Sequence, residues 1–132
     1  MRKIEIKKNE DIFTFNEPFA NDLLDYRIES GELREALLVL QEAAEPFLKL
    51  KPDELDSTKQ TDMNKILVKI NLSVARINKV NYVFAVKHLH SVESKSFSLE
   101  DVQSLKVPID SLEDILNAFN ESLAVEVEAG KK

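Results

Sequence analysis

Few side chains in this sequence are equipped for chemistry, and their spacing narrows what they can do. His88 and His90 are the only histidines and lie two positions apart. On a helix that spacing sends them to opposite sides, away from any shared metal. On a strand both would face one side, and a third ligand would have to come from Glu93 or beyond. An imidazolium near a helix C-terminus complements the macrodipole, so an end-of-helix role accounts for the pair without a metal. Carboxylate pairs at helical spacing occur at Asp22 with Asp25, Glu32 with Glu35 and Asp110 with Asp114. A general acid needs burial or a close like charge to raise its pKa, and each of these pairs falls at a helix start or on a face expected to be wet. No serine sits in a Gly-flanked nucleophile elbow. The absence of cysteine removes thiol nucleophiles, thiolate ligands and disulfides. With two glycines and no tryptophan, the sequence offers neither a phosphate-cradling loop nor a base-stacking platform. The chemistry-bearing residues therefore point to a chain that is not an enzyme and holds no metal or cofactor.

Charge is arranged in blocks. Residues 1–8 carry +3, 9–62 carry −9, 63–97 carry +5 and 98–132 carry −5, for a net charge of −6 over 132 residues. Lys65, Lys69, Arg76, Lys79 and Lys87 make one helix basic, and Asn64, Asn71 and Asn78 repeat along it every seven residues. Binding nucleic acid would require that basic face to be exposed and uncompensated, whereas flanking acidic helices can neutralise it. The Asn stripe fits either a wet face or a polar contact to a partner.

The elements that position these residues can be read from periodicity. Ile4 and Ile6 alternate with Lys3, Glu5 and Lys7, and Ile12, Phe13, Thr14 and Phe15 follow a polar stretch, which predicts a β-hairpin over residues 1–15 that must rest on other elements. Asn16 to Ser30 reads as a first helix, with Phe19, Leu23 and Tyr26 on its stripe, ended by Ser30-Gly31. A second helix starts at Glu32, carries Leu33, Leu37 and Leu40, and is kinked or stopped at Pro46. Residues 46–61 read as a mobile polar linker. A long helix from Thr61 to about His90 follows, with a second apolar row that includes Val68, Leu72, Ala75, Tyr82 and Val86. The segment Val80–Val86 is also rich in strand formers, but its length favours helix. After a polar loop from Ser91 to Ser98 come a short helix ending before Pro108 and a last helix carrying Leu112, Ile115, Leu116 and Phe119. The expected fold is mainly α: a single domain over 1–125 of about five helices with a short N-terminal β-hairpin, then a flexible tail over 126–132. Its expected core contains Leu37, Leu40, Ile66, Ile70, Val74, Ile77, Leu116 and Phe119. No apolar run approaches the roughly 20 residues of a membrane span, and no signal-peptide core is visible, which together suggest a cytoplasmic protein.

The strand pair at Lys3-Ile4-Glu5-Ile6 and Phe13-Thr14-Phe15, the helix at Phe19–Leu24, the chain size and the ending Gly130-Lys131-Lys132 together resemble the tail assembly chaperones of long-tailed bacteriophages. In that family the shorter product stops near a purine-rich slippery stretch, which Gly-Lys-Lys can encode. The resemblance implies a non-enzymatic role in phage or prophage tail assembly within the host cytoplasm: coating the elongated, helical tape measure protein and keeping it soluble. It carries over no catalytic motif. From the residues themselves, Phe47, Leu48, Leu50 and Leu55 on the linker, with Tyr82 and Val86 on the long helix, are the candidate partner-binding residues, and the same apolar surface suggests self-association. The alternative readings are a structural or adaptor protein of a phage or other mobile element, and a small nucleic-acid-binding regulator.

Overall fold

The computed structural model describes the backbone of residues 2–130 and the side chains of residues 2–123. It is mainly helical, with a three-stranded antiparallel sheet ordered β1 (Lys3–Lys8), β2 (Asp11–Asn16), β3 (Leu89–Glu93). Four α-helices follow or interrupt it: α1 (Ala20–Leu48), α2 (Ser57–Lys87), α3 (Leu99–Gln103) and α4 (Ile109–Gly130).

The predicted hairpin is present, with Ile4 opposite Phe15 and Ile6 opposite Phe13. Its two-residue connection places Asn9 at φ 56°, in the left-handed region that Asn tolerates better than most residues. The expected polar loop from Ser91 is corrected at its start: Leu89–Glu93 is a strand on the far edge of β2, pairing Phe13 with Val92 and Thr14 with Ser91. The free N–H and C=O groups of β2 supply what that segment's own polar sequence does not advertise. Val80–Val86 is helical, as its length favours.

There are four α-helices rather than about five, because the break expected at Ser30-Gly31 does not occur. α1 runs through both residues. Ser30 is buried on the inward row and Gly31 is open to solvent, so the glycine costs the helix only about 1 kcal/mol in propensity. Pro46 lies within the last turn of α1, where its missing N–H forfeits a single helical bond. The stretch read as a linker over 46–61 is accordingly shorter. Lys49–Asp56 joins the helices, contains a 3₁₀ turn at Pro52–Glu54, and ends where Asp56 Oδ1 accepts the Lys59 N–H at 2.8 Å as the cap of α2. α3 is capped by Ser98 and ends in a Schellman arrangement: the Lys106 N–H bonds the Asp101 carbonyl, the Leu105 N–H bonds that of Val102, and Leu105 takes φ 55°. The backbone of α4 continues to Gly130, so the tail expected from 126 is helical that far, and Lys131 and Lys132 lie outside the described residues.

Residues 1–125, read as one domain, fall into two compact units. The sheet unit comprises the chain up to Leu24 and from Asn81 onward; the helical hairpin comprises Asp25–Val80. In the sheet unit α4 buries Leu112, Ile115, Leu116 and Phe119 and β2 buries Phe13 and Phe15, all within 2% of full burial, and Phe15 stacks on Phe119 at 4.4 Å. Of the expected core, Leu116, Phe119 and Ile77 are buried, whereas Leu37, Leu40, Ile66 and Ile70 are half-buried. Val74 is corrected to an exposed position. Ser73 takes the inward place beside it.

Candidate protein-binding surface

His88 closes the C-terminus of α2. Its Nδ1 lies 2.9 Å from the Phe84 carbonyl, which can only accept, so Nδ1 carries the proton. The ring lies 4.7 Å from Phe84 and stacks toward Phe119 at 6.4 Å, and Nε2 faces Asp22 Oδ2 at 3.8 Å. Lys87 Nζ reaches the other oxygen of Asp22 at 3.4 Å. His90, on β3, is exposed. The two histidines thus sit at a helix end and on a strand. Asp25, Glu32, Glu35, Asp110 and Asp114 are exposed, and Asp114 meets Lys8 at 3.5 Å. Among the described residues no group of three His, Cys, Asp or Glu side chains is placed to hold a metal ion. Nor, among the described residues, is any helix long and apolar enough to cross a membrane.

Both tyrosines are perturbed in the same direction. Burial raises the Tyr82 phenol above its usual range, reinforced by its hydrogen bond to Glu113 Oε1 at 3.1 Å and by that carboxylate's charge. Burial also raises Tyr26, opposed by the nearby charge of Arg34 and a hydrogen bond with Ser30. Neither phenol is set up to act as a base near neutrality.

The helical hairpin carries the more informative pattern. Its least exposed positions alternate by four and three residues: Tyr26, Ser30, Leu33, Leu37, Leu40, Ala44 and Phe47 on α1, and Met63, Ile66, Ile70, Ser73, Ile77 and Val80 on α2. That is the period of a coiled-coil seam, and one seam is the only burial that two helices alone can give each other. The remaining apolar residues are left outside it. Leu38, Leu48, Leu67 and Val74 occupy the positions flanking one side of the seam, with Leu38 and Leu48 54% and 69% exposed. Asn64, Asn71 and Asn78 rim that same side. Val39 and Leu72 flank the other side, and Val68 lies on the back of α2, where it is 66% exposed. A shallow groove of about 490 Å³ beside Val68 is lined by Thr61, Asn64, Lys65 and Lys69.

Of the residues expected to bind a partner, Leu48 is exposed, and Phe47, Leu50 and Leu55 are half-buried in the helical hairpin. Tyr82 and Val86 are corrected to core residues of the sheet unit: each is under 9% exposed, covered where α2 enters that unit. Leu38, Leu67 and Val74 were not singled out as surface residues, although the alternation by four and three places them outside the seam. No family model, curated protein or solved structure matches this chain.

Proposed function

We propose that this chain is a non-enzymatic binding protein whose helical hairpin docks on an elongated helical partner. Together with the resemblance to tail assembly chaperones, the reading identifies that partner as a phage tape measure protein kept soluble before tail assembly. The observation that carries it is the placement of Leu38, Leu48, Leu67 and Val74 along one side of a hairpin that buries no apolar residue fully except Ala44 and Ile77. Apolar positions recurring at helical spacing are what a partner helix engages, and the Asn rim supplies polar contacts at the edge. The basic character of α2 favours nucleic acid less, because acidic α1 shares its compact unit.

Co-expression with a phage tape measure protein is the test. The wild-type chain should shift that protein into the soluble fraction, and Leu48→Asp should abolish the shift while leaving the helical circular dichroism intact, since Leu48 is mostly exposed. Unchanged solubility on co-expression would replace this reading with a structural or adaptor role.

A further inference from the structure

The two sides of the helical hairpin differ in charge. On the side away from Leu48, α1 presents Ala36, Val39 and Ala43 together with Asp25, Glu29 and Glu32, and no cation, because Arg27 and Arg34 fall on the Leu48 side. The same side of α2 presents Leu72 between Lys69 and Arg76, with Lys65 and Lys79 beyond them. Among the described residues, Asp25, Glu29, Glu32, Arg76 and Lys79 make no ion pair within the chain. One face therefore holds an acidic strip and a basic strip, both unpaired, around exposed Val39 and Leu72.

We infer that this face binds a second copy of the chain, forming a two-fold symmetric, antiparallel four-helix bundle. A two-fold axis parallel to the hairpin lays each α1 antiparallel on the partner's α2, so acid meets base at both contacts. An axis perpendicular to it would oppose α1 with α1 and α2 with α2, setting like charges together. The two helices span Asp25–Leu48 and Ser57–Val80, about 36 Å each at 1.5 Å per residue, and present a face about 20 Å wide. Two such faces bury on the order of 1,400 Å², inside the range of roughly 1,200–2,000 Å² that supports a stable dimer. The dimer uses the side opposite Leu38 and Leu48, so it stands whether or not that other side takes a helical partner.

Sedimentation equilibrium on the full chain, over about 1 to 100 µM, tests the assignment. The wild type should be dimeric at the upper end. Arg76→Glu with Lys79→Glu, and separately Glu29→Lys with Glu32→Lys, should each weaken the dimer at least ~10-fold. Mixing the two variants should restore it as a heterodimer, because the reversed charges at positions 29 and 32 again meet opposite charges at 76 and 79, while the other contact keeps its wild-type acid on base. Val39→Asp should give a monomer with unchanged helical circular dichroism. A wild type that stays monomeric overturns the proposal, as do charge-reversed variants that keep their helix content but form no heterodimer. A dimer lost with Leu48→Asp yet indifferent to Val39→Asp places the second copy on the other side and also overturns it. So does a monomer that engages the tape measure protein through Val39.

Discussion

In the sheet unit Phe15 and Phe119 stack at 4.4 Å inside a layer closed by β2 on one face and α4 on the other; in the helical hairpin Val39, Leu48 and Val68 stand more than half exposed. Both regions are rich in apolar residues at regular spacing. What separates them is the number of layers. A sheet face covered by a helix buries alternate residues of every strand and a whole helical stripe, whereas two helices alone bury one seam each and leave the flanks wet. All but Ala44 and Ile77 of the buried apolar residues among those described belong to the sheet unit. Its apolar residues hold the fold, and those on the flanks of the hairpin are available to another chain.

Substitutions should divide along that line. Phe119→Ala, in the middle of the stacked aromatic cluster, should cost about 3–5 kcal/mol in urea denaturation. Ile77→Ala, at the best-buried large aliphatic position of the hairpin seam, should cost about 2 kcal/mol, the low end for such truncations, because a single seam can close over the gap. An equal or larger loss at Ile77 would show that the hairpin is as tightly packed as the sheet unit.

The tyrosines report on each region by pH, one in the hairpin and one in the sheet unit. Both phenols have raised pKa values, so the folded state disfavours the phenolate relative to the unfolded chain. Their contribution to stability is complete below the unfolded value near 10, and is lost as pH rises through the higher folded values. Absorbance titration should show no phenol ionising at the ordinary value, with unfolding easier above about pH 10. A phenol titrating normally would mark its region as open. The smallest effect is expected at Val68, where truncation to Ala should change stability by less than about 0.5 kcal/mol, since the side chain is 66% exposed.

What the sequence made legible follows the same division between local and distant causes. The alternation of Ile4, Ile6, Phe13 and Phe15 was enough to place the hairpin strands, and the stripe Leu112, Ile115, Leu116 and Phe119 was enough to place α4 in the core. β3 was hidden because Ser91 and Glu93 look like loop, and it is the free edge of β2, remote in sequence, that makes them strand. The continuity of α1 was hidden by Ser30-Gly31, a local stop signal overridden by the seam that runs from Tyr26 to Phe47. Val74 falls outside the core because a small polar residue, Ser73, holds the seam position next to it; a 3.6-residue period drifts onto Val74 where the 3.5-residue period stays on Ser73. The burial of Tyr82 and Val86 is not legible locally: Tyr82 meets Glu113 of α4, 31 residues further along the chain.

Hydrogen exchange read by mass spectrometry, on the chain alone and co-expressed with the proposed partner, a phage tape measure protein, tests most directly whether the hairpin's outer apolar residues serve another chain. Exchange should slow on binding in peptides covering Leu38, Leu48, Leu67 and Val74, and stay unchanged across β1, β2 and the described part of α4. No slowing within Asp25–Val80, or protection confined to the sheet unit, would contradict it.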